Sequence, residues 1–426
     1  MPTCAERLVQ IFGSQAEVAR AFRLDRAVVN NWVKSGYVPA RWAIEVERVT
    51  QGKIGSEEVL KEAAVAKPVR VKSRPDDDPL LFPEGSDMSD FSPAKRIHSF
   101  HPPQRTLMGP GPSEINPRVM AAMSLPAIGY LDPIFVDMME ELKSLLRYVY
   151  QTKNALTFPV SGPGSVGMEY CFVNMVAPGD KVVVCVNGVF GGRMADVAAR
   201  AGARVTRVDR PWGEVFRPED LKDALAQAKP KVVGIVLAET STGAWQPIEE
   251  IAKLVHDAGA MILVDAVTGL GGLPVEVDAW GIDAIYSGTQ KCLSCPPGLA
   301  PVSFNDRAMD VILARKTKVQ SWYLDVTMLA QYWGEQRVYH HTAPINMTYG
   351  LYEALRIVHE EGLEASHARH RRNHEALKAG LAAIGIGYAA AEGHQLPMLN
   401  AVRVPTGVDD AAVRKALLER FGIEIG

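Results

Sequence analysis

From Lys181 onward the chain alternates short apolar runs with amphipathic segments of helical period, and this restricts the fold more than any other feature. KVVVCV, RVTRVD, KVVGIVLA, AMILVDA and DAIYSG are strand-length runs rich in β-branched residues. GGRMADVAARAG and IEEIAKLVHDAG lie between them, with apolar residues three and four apart. Runs of Val and Ile this continuous need cover on both faces, so the pattern predicts an α/β fold, a mostly parallel sheet flanked by helices. Ligands in such sheets bind beyond the carboxyl ends of the strands.

The 426 residues are 47% hydrophobic and 22% charged with a formal net charge of -3, a soluble globular profile with room for two or more domains. No apolar stretch reaches the roughly 18 residues of a membrane helix. MPTCAERLVQ lacks the basic-then-apolar pattern of a signal peptide, and a cytoplasmic location is expected. Five cysteines, odd in number and dispersed from Cys4 to Cys295, are expected to be reduced thiols.

Composition changes sharply between Lys67 and Gln104, where Pro, Ser and charge dominate without periodicity; residues 67–104 read as a linker. Before it, residues 1–66 carry helical periodicity: Leu8, Ile11 and Phe12, then Val18, Ala19 and Phe22, then Val28, Val29 and Trp32. Three or four short helices would bury those faces together. In GSQAEVARAFRLDRAVVNNWVKSG, Ala19 sits where two helices approach closely and Leu24 fills the turn, which is the spacing of a helix-turn-helix. The segment resembles Cro-like and YdaS-like repressor modules, although Arg23 stands where the turn usually has glycine. That resemblance implies a recognition helix from Arg26 to Lys34, with Arg26, Ala27, Asn30, Asn31 and Lys34 facing DNA. A small helical bundle binding protein, or nothing, is the competing reading, since the charges are nearly balanced.

Two strand-end residues carry chemistry. Lys291, in DAIYSGTQKCLSCPPG, is a lysine in a tight polar loop, suited to hold an aldehyde cofactor as a Schiff base. Asp265 closes the strand MILVD, where an acid can hold a pyridinium nitrogen; the plainer reading is a helix cap. SGPGSVGMEY is a Gly-rich turn entering a helix, so Gly164 and Ser165 could cradle an anion, a weak signal by itself. Together these residues describe a pyridoxal 5'-phosphate site.

The wider pattern is more specific. LMGPGPSEINPRVMAAM, SGPGSVGMEY, VNGVFGGR, AETSTGAWQP, LVDAVTGLGG, YSGTQKCLSCPPG, SWYLDVTML and YHHTAPINMTYGLYEAL occur in this order from about Thr106 onward. In that order they resemble the class V aminotransferases of pyridoxal phosphate fold type I, in the alanine-glyoxylate and serine-pyruvate branch. The resemblance implies a large cofactor domain at 105–345 and a small α+β domain at 346–426. It implies Lys291 as the Schiff-base lysine and proton carrier, and Asp265 as partner of the ring nitrogen. It also implies Phe190 stacked on one ring face, where relatives often have Trp, and Val267 under the other. Thr240 would lie on the ring-hydroxyl side or in the aldimine neighbourhood, and Gln290 at the phosphate.

Tyr339 and Thr342 match residues that reach the neighbouring subunit's phosphate, which implies a homodimer with a shared site. Gly111 and Tyr130 would wall a pocket for a small side chain. The implied reaction is a ping-pong transfer of an amino group from alanine or serine to glyoxylate or pyruvate. His340 and His341 read as packing residues, and Cys292 and Cys295 do not read as a redox pair or metal site. Relatives continue past ERFGIEIG to an arginine that forks onto the substrate carboxylate, whereas this sequence stops at Gly426; the small domain is expected to be truncated and substrate binding to be weak unless another group such as Arg337 or Arg403 substitutes. A different class of function stays open: a DNA-binding regulator whose aminotransferase-like domain senses the cofactor or an amino acid. Desulfurase or lyase activity is disfavoured because the expected cysteine-bearing loop is not recognisable.

Overall fold

The computed structural model describes residues 2–22, 24, 26–39, 42–65 and 100–426. Arg23 and residues 67–99 of the expected linker lie outside the described residues. The chain forms two compact units, Met1–Phe100 and His101–Gly426.

The first unit contains α1 (Cys4–Phe12), α2 (Gln15–Phe22), α3 (Arg26–Ser35), α4 (Ala43–Val49) and α5 (Ser56–Val65). Among the described residues five helices form where three or four were expected, because Val59 of the last one is drawn fully into the core. A capping box starts α1: the Glu6 amide donates to Thr3 Oγ1 at 3.2 Å and the Thr3 amide to Glu6 at 2.8 Å. Leu8, Val18, Phe22, Val29, Trp32 and Val46 are buried together. Ile11 is exposed on the flank, so only part of the expected face of α1 is buried. Phe22 meets Trp32 edge-on at 5.9 Å and Trp42 at 6.2 Å. Leu24 packs against this cluster as its amide donates to the Ala19 carbonyl at 2.8 Å, closing the turn between α2 and α3.

The second unit opens with β1 (Thr106–Leu107), α6 (Pro117–Met123), α7 (Pro133–Tyr150), β2 (Leu156–Ser161), α8 (Gly164–Met175), β3 (Lys181–Val186), α9 (Val189–Arg200) and β4 (Arg204–Asp209). It continues through α10 (Pro218–Ala228), β5 (Val232–Val236), β6 (Ala238–Glu239), β7 (Ala244–Trp245), α11 (Glu249–Asp257), β8 (Met261–Asp265), β9 (Ala284–Tyr286) and β10 (Leu299–Phe304). It ends with α12 (Asp306–Leu313), α13 (Val326–Trp333), α14 (Ile345–Glu361), α15 (Leu363–Ala383), α16 (Asp410–Ala416) and β11 (Ile423–Glu424). The domain boundary expected at 345/346 falls at the start of α14, whose closest packing is against α6 and α7.

Seven strands form the central sheet in the order β2-β10-β9-β8-β5-β3-β4. β10 runs antiparallel to both its neighbours and the remaining pairings are parallel. Every residue of β5, β8 and β9 is buried, as continuous apolar strands require. β4 lies at the edge and places Arg204, Arg207 and Asp209 along it, a charged border that discourages further strand pairing. The parallel strands β3, β5, β8 and β9 all point the same way, so their carboxyl ends and the loops after them gather on one side of the sheet.

Candidate active site

Asp265 and Tyr286 close two adjacent parallel strands and are paired in register. Asp265 is 2% exposed, yet both carboxylate oxygens are satisfied. The Val267 amide donates to Oδ1 at 2.9 Å and the Tyr286 hydroxyl to Oδ2 at 2.7 Å. Burial pushes the Asp265 carboxyl up to about 6; the hydrogen bonds from Tyr286 and Val267 pull against that, and the nearby Glu239 charge adds to it.

Lys291 follows β9 in a turn, and its ammonium donates to the Pro110 carbonyl. Among the described residues no carboxylate forms an ion pair with it, and burial lowers its pKa below the usual lysine value. Gly111 permits this approach. Its φ is +123°, and a Cβ there would stand 2.6 Å from Lys291 Nζ. Ser113 ties the same loop to the lysine turn, donating from Oγ to the Lys291 carbonyl at 2.8 Å and from its amide to the Gln290 carbonyl at 2.9 Å.

Beside them α8 begins at Gly164 without any side-chain cap at Pro163, so its leading amides are open to an anion. A Cβ on Gly164 would come within 3.0 Å of Val267, and one on Gly288 within 2.8 Å of Gln290 Oε1. Gln290 Oε1 is buried with no partner. A cradle that glycine keeps open and an uncapped helix start fit a phosphorylated planar ligand next to Lys291 and Asp265.

The neighbouring helix start differs. At α9 the Val189 amide donates to Ser241 Oγ at 3.0 Å, and the Phe190 and Gly191 amides each donate to Glu239 at 3.1 Å. Ser241 Oγ in turn donates to Glu239 at 2.6 Å. The fully buried Glu239 carboxylate therefore closes this second positive end to other anions. Phe190 is half-buried, with the Arg193 guanidinium 4.7 Å over its ring, and Arg193 Nη1 lies 3.4 Å from Ser165 Oγ. Thr240 Oγ1 is 2.5 Å from Thr268 Oγ1.

The structure thus gathers Gly111 with Lys291, Gly164 and Asp265 with Val267, and Ser165 with Phe190 through Arg193. Tyr339 is set elsewhere in this chain: its ring lies 5.1 Å from that of Tyr130, and it is 51% exposed. Thr342 is exposed too, and among the described residues neither hydrogen-bonds to Lys291, Asp265 or Gln290. His340 lies flat on Trp322 at 4.4 Å, while His341 Nε2 is 2.8 Å from Ser161 Oγ. Arg337 binds Glu140 and the Tyr332 carbonyl, and Arg403 donates to the Tyr388 carbonyl at 3.1 Å, so both are engaged away from the lysine. Cys292 and Cys295 are unlinked, and burial pushes both thiols up to about 12, away from reactive thiolate character.

Tyr286, Glu239 and Arg193 lie among these candidate residues without having been singled out from the sequence. Glu239 had a signal, an acid at the end of a strand, like Asp265. Arg193 lies three residues after Phe190 and so on the same helix face. Tyr286 needed the strand order.

On α3 of the first unit, Arg26, Ala27, Asn31 and Lys34 are exposed and Asn30 is half-buried, while Val29 and Trp32 face the core.

The family profile described as Aminotransferase class-V matches residues 129–426, and that described as Bacterial toxin YdaS matches residues 5–66. The chain is 40% identical over 341 residues to (S)-ureidoglycine–glyoxylate transaminase of Bacillus subtilis (strain 168), covering 76% of this chain and 82% of that protein. It is 41% identical over 327 residues to alanine–glyoxylate aminotransferase of Callithrix jacchus, covering 76% and 79%. The crystal structure of alanine–glyoxylate aminotransferase from Nostoc sp. superposes with a TM-score of 0.77 at 47% identity, over 78% of this chain and 88% of that one.

Proposed function

The chain belongs to the class V aminotransferases, and from that premise we propose that it moves the amino group of a small amino acid, alanine or serine, to glyoxylate or pyruvate, using pyridoxal 5'-phosphate held at Lys291. The observation that carries this reading is the half-buried Lys291 amine, which faces a backbone carbonyl and lacks an acid partner among the described residues. An amine in that setting gives up its proton readily and is a better nucleophile than a solvated lysine. When bound, the cofactor supplies an electron sink for the substrate's α carbon. Asp265 would keep the ring nitrogen protonated, with Tyr286 fixing the carboxylate. The α8 amides at Gly164 and Ser165, with Gln290, would hold the phosphate, while Phe190 and Val267 would enclose the ring and Thr240 its hydroxyl side. Lys291 would carry the proton between the α carbon and the cofactor, and Gly111 would bound the side-chain pocket.

The use of glyoxylate by the named relatives supports the acceptor. The exposed Tyr339 and Thr342 support a homodimer in which they reach the partner's phosphate, and exposed Met108, Leu131, Ile134 and Trp322 supply apolar surface for it. No helix of the described residues is long and apolar enough to cross a membrane. For the first unit, the exposed Arg26, Asn31 and Lys34 on α3 support docking on DNA.

The test is the visible absorption spectrum of the purified protein with cofactor. Alanine or serine should abolish the band of the lysine-bound cofactor, and glyoxylate should restore it. A band that neither reagent moves would rule out this transfer.

A further inference from the structure

A phosphate monoester carries about -1.5 to -2 charges at neutral pH, whereas a helix N-terminus offers the equivalent of about +0.5. On the reading that pyridoxal 5'-phosphate sits at α8, that helix alone leaves roughly one negative charge unmatched, close to two buried carboxylates, Asp265 and Glu239. The adjacent start of α9 cannot make up the difference, because Glu239 and Ser241 already occupy its amides. A cation is needed, and among the described residues the guanidinium of Arg193 stands at the cradle with no carboxylate in an ion pair.

We propose that Arg193 is a binding residue for the phosphate of the cofactor. Its guanidinium lies 4.7 Å over the Phe190 ring while Nη1 stands 3.4 Å from Ser165 Oγ, the second residue of α8. One planar group thereby links the ring-stacking residue to the phosphate cradle. Guanidinium suits both contacts: its face packs on an aromatic ring and its edge presents parallel N–H donors to phosphate oxygens. The placement also divides the labour between the two helices, with α8 contributing amides and α9 contributing a side chain from one turn inside its closed end. Stacked on one face of Phe190, Arg193 leaves the other face for the pyridine ring.

The experiment compares binding of pyridoxal 5'-phosphate with that of pyridoxal, the same aldehyde without phosphate, by equilibrium dialysis against the full-length protein and its R193Q and R193K variants. Arg193→Gln should weaken the phosphorylated ligand on the order of tenfold or more and leave pyridoxal within about twofold, as expected when a charge-assisted contact is lost. Arg193→Lys should recover part of that loss. Equal weakening of both ligands would mean that Arg193 merely supports the fold, and unchanged affinity for both would mean that it does not touch the phosphate; either result overturns the proposal. If the unsubstituted protein bound neither aldehyde, the cofactor reading itself would fall, and this assignment with it. Matching thermal unfolding of the cofactor-free variants would separate a binding defect from a folding defect.

Discussion

The Tyr286 hydroxyl donates to Asp265 Oδ2 across 2.7 Å, from the neighbouring strand and at the paired position in register. The sheet itself thus fixes the orientation of the carboxylate. Removing the donor by Tyr286→Phe leaves a buried charge short of one hydrogen bond, which typically costs about 1.5–3 kcal/mol. Urea unfolding at pH 7 should show a loss of that size, and the Asp265 pKa should rise further.

Asp265 also predicts a pH dependence in the cofactor-free protein. Its folded value of about 6 lies above the ordinary 3.8, so the folded chain binds this proton more tightly than the unfolded chain. The resulting stabilisation is fully present below about pH 4 and is lost as the pH rises through about 6; at roughly 1.36 kcal/mol per unit it amounts to about 3 kcal/mol. Comparing unfolding free energies of the unsubstituted protein and Asp265→Asn from pH 4 to 7 isolates this slope. The substituted protein should lack it.

Gly111→Ala should damage the site more than the fold. The new methyl would meet Lys291 Nζ at 2.6 Å, and a φ of +123° is strained for alanine, at about 1–3 kcal/mol. Cofactor uptake should fall steeply while far-ultraviolet circular dichroism stays unchanged. Normal uptake would mean that the loop before Ser113 yields easily.

On the proposed function, Lys291→Ala would remove both the covalent anchor and the proton carrier. Positioned acid–base groups contribute about 10²–10⁴ in rate, so turnover should drop at least that far. The cofactor should also wash out on gel filtration. Stability of the cofactor-free protein should hold or increase, because a half-buried cation without an acid partner is removed.

Trp32→Ala tests whether the first unit folds for itself. Trp32 is 4% exposed and packed against Phe22 and Trp42, and its truncation should cost about 3–5 kcal/mol, enough to unfold a five-helix unit. Aminotransferase turnover should be unaffected. A parallel loss of turnover would show that the second unit depends on the first.

Much of the candidate site is legible in the sequence because each half of it is local. Lys291 sits in a turn just after a strand, Asp265 ends a strand, and Gly164 and Ser165 open a helix, so each declares its position by its flanking pattern. Glu239 was overlooked although it also ends a strand, because nothing nearby in sequence reveals that its carboxylate is consumed by the amides of α9. The burial of Val59, which adds a fifth helix to the first unit, depends in the same way on packing between distant helices.

By itself the sequence determined the layers, the strand ends and the types of chemical group available there, since periodicity and turn residues act over a few neighbours. Only the tertiary structure decided that β8 lies beside β9, which puts Tyr286 on Asp265, and that the loop carrying Gly111 closes over Lys291 from 180 residues away in sequence (291 − 111). Strand order and long-range loop contacts minimise the free energy of the whole packed sheet, and no short window of residues carries that information.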